Sequence, residues 1–126
     1  MLGNMEWPAD FPKGCPPLDS TDPNGVVYRI VSKRPPNAED FRSTYDKSPV
    51  KNVKNCKARG LSVLRDRTEA ERLLLTVPEM GQHVASARLE PYHGKIKSTP
   101  SIRSKSHCTW WVRVGTEPEK LFAVEA

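Results

Sequence analysis

Apolar and polar positions along this chain fall into short runs whose period changes several times. Residues 26–32 (VVYRIVS) are β-branched and aromatic, with an Asp22-Pro23-Asn24-Gly25 turn before them and Pro35-Pro36 after, which predicts a first strand. It is apolar on both faces apart from Arg29, so a central place in its sheet is expected. Asn37 suits the cap of a short helix over 38–45, with Asp40 three residues on. Residues 48–55 read as a polar basic loop, and 61–65 as a short second strand after Gly60. In 66–77, Ala70, Leu73, Leu74 and Val77 recur at i, i+3, i+4 and i+7. Asp66 and Glu69 suit the cap and N3 positions, and Pro78 stops that helix.

The second half reads as strands. Residues 83–89 (HVASARL) carry Ala85 and Ala87, small enough to lie beneath a packed helix; Pro91 ends the run, and 95–98 suit a short edge strand. In 107–114 (HCTWWVRV), Cys108, Trp110, Val112 and Val114 share one face. His107, Thr109, Trp111 and Arg113 share the other, so Trp110 is expected in the core and Trp111 at the surface. A turn over 115–119 then leads into 121–124 (LFAV) as a predicted hairpin. Helices early and antiparallel strands late predict a single small α+β domain, mainly antiparallel sheet with two short helices.

Residues 1–25 depart from this pattern. They hold five of the twelve prolines, and one Lys against four acids. Proline fixes φ and removes a backbone donor, so the stretch reads as a proline-rich N-terminal arm ahead of a domain at 26–126. Trp7, Phe11 and Leu18 give it anchors for lying across that domain or for docking on a protein partner. A length of 126 residues suits one domain. No apolar run approaches a membrane span, and residues 1–11 lack a basic segment followed by an apolar one, so neither membrane insertion nor secretion is expected. The three cysteines, Cys15, Cys56 and Cys108, form no close pair, so reduced thiols in a cytoplasmic setting are expected. His83, His93 and His107 lie 10 and 14 residues apart, unlike a helical metal pair, and neither metal nor cofactor is expected.

Charge is uneven. The net +5 conceals two basic blocks. Residues 26–67 hold eleven basic and four acidic side chains, concentrated in Lys47, Lys51, Lys54, Lys57, Arg59, Arg65 and Arg67. Residues 91–113 hold five basic and no acidic ones, including Lys95, Lys97, Arg103 and Lys105 beside the tryptophan strand. Cations neutralise phosphates, hydroxyls donate to phosphate oxygens, and an exposed aromatic stacks a base. One expected function is therefore a non-catalytic binding module for a phosphate-rich partner, nucleic acid or nucleotide. Lys95, Lys97, Arg103, Lys105 and Trp111 would form the contact surface, with Arg59, Arg65 and Arg67 in support. No helix-turn-helix, zinc finger or GxxG clamp accompanies it.

A second expectation is enzymatic. Polar residues on apolar strands require compensation when buried, which singles out Arg29, Ser62, and His107 with Thr109. An Arg on a central strand and a Ser on its neighbour suit a phosphate-bearing substrate such as a dinucleotide, with a carboxylate or His acting on the transferred group. In outline this resembles the arginine, serine and glutamate arrangement of small ADP-ribosyltransferase folds, which open with an Arg-bearing strand. The resemblance covers two short strands and implies a nucleotide cleft built on Arg29, Ser62 and His107. The family's paired-glutamate motif is absent, and Glu90 or Glu125, each just past a strand, would stand in. A third expectation is a protein-interaction or accessory role through the arm.

Overall fold

The computed structural model describes residues 6–48 and 55–124. Six strands form one open antiparallel sheet: β1 (Gly25–Val31), β2 (Leu61–Leu64), β3 (His83–Leu89), β4 (Gly94–Ser98), β5 (His107–Val112) and β6 (Ala123–Val124). Their order across the sheet is β4-β5-β2-β1-β3-β6. Among the described residues three short α-helices accompany them, α1 (Thr44–Lys47), α2 (Arg67–Thr76) and α3 (Pro118–Leu121), giving an α+β architecture. None of the described helices is long and apolar enough to cross a membrane.

The period-2 pattern decides which face each side chain takes. One face carries Val27, Val31, Leu61, Val63, Ala85, Ala87, Leu89, Ile96, Cys108 and Trp110, all buried. Phe41 and Phe122 cover it, with ring centroids 5.1 Å apart, and Phe122 lies 6.0 Å from Trp110. On the opposite face Ile30 and Leu64 receive Leu73 and Leu74 of α2 and Val77 at its C-terminal cap. Asp66 caps α2 by accepting from the Thr68 and Glu69 amides, as the sequence predicts.

Three local expectations change. The helix over 38–45 is interrupted: Asn37 and Asp40 box a 3-10 turn at Ala38–Phe41, and Ser43 and Asp46 box α1 separately. Two capping boxes six residues apart stop one continuous helix from forming. The predicted terminal hairpin is also replaced. Because β2 and β4 occupy both sides of β5, β6 crosses to the free edge of β3, pairing Ala85 with Val124. Part of its lead-in, Pro118–Leu121, is helical.

The third correction concerns the cysteines. Cys15 and Cys56 are joined by a disulfide, and only Cys108 is free among the described residues, buried in the core. Sequence separation does not report that residues 6–24 fold back over the sheet, and this return brings the two sulfurs together. Thr21 bridges to Ile96 at the open edge of β4, Asp10 pairs with Arg59, and Asp19 and Asp22 pair with Lys97 and Lys95. The leading segment thus packs on its own chain, and the argument from reduced thiols to a cytoplasmic setting loses its basis.

Candidate functional site

The site begins with a split in the sheet. β1 and β2 are neighbours, yet they share one registered pair, Tyr28 with Leu64. Toward Val31 and Leu61 the two strands part. Arg29 fills the gap: Nη1 donates to the Ser62 carbonyl at 2.8 Å, and Nε donates to the Asp40 carbonyl at 3.0 Å. The guanidinium thus takes a backbone acceptor that a continuous ladder would have satisfied, and it also lies 5.5 Å from the Phe41 ring centroid. Burial lowers its pKa to about 10, against the opposing charge of Asp40. It stays charged at neutral pH because its carbonyl partners and Asp40 compensate for lost water.

Beside this wedge lies a cleft of about 340 Å³. Arg29 of β1, Ser62 of β2 and His107 of β5 all line it, three residues on three adjacent strands. Arg42, ion-paired with Glu39, and Lys47, from the segment between β1 and β2, add two more cations; Glu79, after α2, contributes the one carboxylate among the described lining residues. An adjoining hollow of about 230 Å³ shares Thr44, Gly60, Ser62 and His107 and brings in Lys57 and Thr109. The balance of charge along both hollows is positive.

His107 is held from one side. Its Nδ1 lies 2.9 Å from both the hydroxyl and the carbonyl oxygen of Thr99, and its own carbonyl accepts from the Thr99 amide. The Thr99 hydroxyl also meets the Thr109 hydroxyl at 2.9 Å. Ser62 is exposed, and its hydroxyl has no hydrogen-bond partner among the described residues. This pair supplies a hydroxyl and an imidazole nitrogen to the cleft, so the lining combines anion-binding and proton-transfer groups. No group of three or more metal-ligating side chains occurs among the described residues.

The expected contact surface fares differently. Trp111 is 1% exposed, so it does not offer a stacking face. Its indole Nε1 donates to the Cys56 carbonyl at 2.9 Å, and the 57–60 turn closes over the ring. Alternation along β5 places Trp111 opposite Trp110, but both faces of the sheet are covered at that point, so alternation alone gives no exposure. Arg59 is buried as well, 3.4 Å from the Tyr45 ring centroid and ion-paired with Asp10. Lys95 and Lys97 meet Asp22 and Asp19, and Arg67 meets Glu71. Arg65, Arg103 and Lys105 remain exposed with no ion pair among the described residues. Lys51, Lys54 and Glu125 lie outside the described residues.

Glu90 does not stand in as the cleft carboxylate. It sits past the far end of β3, boxed with His93 in the Pro91–His93 turn, and lines neither hollow. Glu79 and Arg42 were missed in the sequence because nothing local marks them; only the packing of α2 and α1 around the split brings them to the cleft. Compared with known protein families, curated proteins and solved structures, the chain matches none.

Proposed function

We propose that this chain binds a phosphate-bearing, nucleotide-type ligand in the cleft between β1, β2 and β5 and acts on it as a small enzyme. The observation that carries the reading is the meeting of Arg29, Ser62 and His107 with Arg42 and Lys47 in one cleft. A cavity of about 340 Å³ accommodates a small organic phosphate, and ligand clefts of this kind run from roughly 300 to 1,000 Å³. Arg29 is anchored through two carbonyls, so its position is fixed before a ligand arrives, which lowers the ordering cost of phosphate binding. Lys47 supplies a second cation on a flexible stem. Ser62 orients the ligand, and His107 and Glu79 are the groups suited to moving a proton. The outline resembles the ADP-ribosyltransferase arrangement, with Glu79 in place of the absent paired glutamates.

The test is calorimetric titration of the full chain with adenosine diphosphate and nicotinamide adenine dinucleotide, followed by chromatography for nicotinamide release from the dinucleotide. Lys47→Ala is expected to weaken binding by about tenfold or more, the scale of one charge-assisted hydrogen bond. Absence of binding at low salt, or affinity indifferent to Lys47→Ala, overturns the reading. Binding without nicotinamide release retains the ligand class and removes this reaction.

One observation favours a second reading, a phosphate-rich polymer outside the cleft. The Arg65 amide donates to the Ser106 carbonyl, bringing the end of β2 against the loop that carries Arg103 and Lys105. These three exposed cations are the part of the expected surface left without ion pairs among the described residues. Oligonucleotide affinity that falls with salt, and is lost in Arg103→Ala with Lys105→Ala, selects this reading over the cleft.

A further inference from the structure

The bonding of His107 specifies more about the ligand than its charge does. A carbonyl oxygen only accepts, so the 2.9 Å contact between the Thr99 carbonyl and Nδ1 requires the proton of the neutral ring to sit on Nδ1. The Thr99 hydroxyl, 2.9 Å from the same nitrogen, is itself oriented by Thr109 at 2.9 Å. Thr99 is in turn fixed to the strand, because its amide donates to the carbonyl of His107. Carbonyl and hydroxyl of one residue therefore bracket one imidazole, and the amide of that residue ties it to the same strand. Nε2 is left with a lone pair and no partner among the described residues, on a ring that lines both hollows.

We propose that Thr99 is a positioning residue that presents His107 Nε2 to the cleft as a hydrogen-bond acceptor, and that the ligand is one with a free hydroxyl near its phosphates. This rests on the nucleotide-type reading of the cleft and narrows it. The guanidinium and ammonium groups take phosphate oxygens, which are acceptors. A lone pair on Nε2 repels such oxygens and needs a donor instead. Ser62, on the adjacent strand, offers a hydroxyl that both donates and accepts. Inorganic phosphate and pyrophosphate satisfy only the cationic part of this lining. A ribose phosphate satisfies all of it.

The experiment compares adenosine diphosphate with its 2′,3′-dideoxy analogue by calorimetry on the full chain, alongside long-range 1H–15N spectra of the His107 ring. The hydroxyl-bearing ligand is expected to bind about five- to tenfold tighter, the scale of one neutral hydrogen bond. His107→Asn keeps a donor for the Thr99 carbonyl but has no atom at the Nε2 position, so the preference is expected to vanish. His107→Gln extends an amide toward that position and is expected to restore part of it. A purely structural role for His107 would weaken both ligands alike. Equal affinity of the two ligands for the wild-type chain overturns the inference and leaves the cleft reading standing, as does a preference that survives in His107→Asn. If neither ligand binds, the cleft reading fails and the ring spectrum decides. An Nε2-protonated neutral ring overturns the positioning by Thr99, and an Nδ1-protonated ring upholds it.

Discussion

Truncating Trp111 separates a buried indole from a surface platform by its magnitude alone. The side chain is 1% exposed and donates from Nε1 to the Cys56 carbonyl at 2.9 Å. Its ring is packed so closely that a Cβ on Gly60 would stand 3.3 Å from Cε2. Removing such a side chain costs the transfer free energy of the ring plus the cavity left behind, about 3–5 kcal/mol for Trp→Ala. A surface substitution away from such contacts stays within about 0.5 kcal/mol. Trp111→Phe keeps most of the volume and forfeits the indole hydrogen bond, so about 1–2 kcal/mol is expected from it. For a chain this size each kcal/mol lowers Tm by roughly 3–6 °C, so Trp111→Ala should unfold at least about 10 °C below wild type. Urea denaturation followed by far-ultraviolet circular dichroism measures the free energies. A loss under about 1 kcal/mol for Trp111→Ala would refute the buried placement and restore the stacking surface.

Three further outcomes are expected. Burial lowers the pKa of His93, with Glu90 opposing, and its Nδ1 accepts from the Glu90 amide at 2.9 Å. The neutral ring therefore belongs to the fold: as pH falls below about 6.5 the unfolded chain takes up the proton first, and stability drops until the folded His93 also protonates. His93→Asn, which retains an acceptor, should flatten this part of the Tm–pH curve; an unchanged slope removes His93 as its source. Gly94 has a φ of 140°, and a Cβ there would run into the carbonyl oxygen of Trp111, whereas Gly25 has a φ of 116° with open space around it. Gly94→Ala should cost at least about 2 kcal/mol more than Gly25→Ala by denaturant titration, and equal losses would contradict the close approach of β4 to β5. The Cys15–Cys56 disulfide spans 41 residues, which corresponds to a loop-closure contribution of up to about 4 kcal/mol. Cys15→Ser should lower stability by a large part of that and make it insensitive to dithiothreitol, while unchanged stability would mean the bond does not form in solution.

Much of the fold was legible in the pattern of residues. The strands at 83–89 and near 26–31, the α2 helix with its Asp66 cap, and the core placement of Trp110 follow from period and capping, which are local properties of the chain. Arg29, Ser62 and His107 stood out for the same reason, as polar side chains where the period calls for apolar ones. The sequence alone determined these irregularities, because an unmatched polar group on a strand is visible without knowing what lies opposite. Only the tertiary structure decided what compensates them. The parting of β1 from β2 depends on two strands 30 or more residues apart, and it gives Arg29 its carbonyl partners. The return of residues 6–24 over the sheet pairs Cys15 with Cys56 and gives Lys95, Lys97 and Arg59 acidic partners. The closure of the 57–60 turn buries Trp111. Each of these is a contact between distant segments. Local periodicity fixes which way a side chain points, but its exposure and its partner are set by whatever the rest of the chain brings to that face.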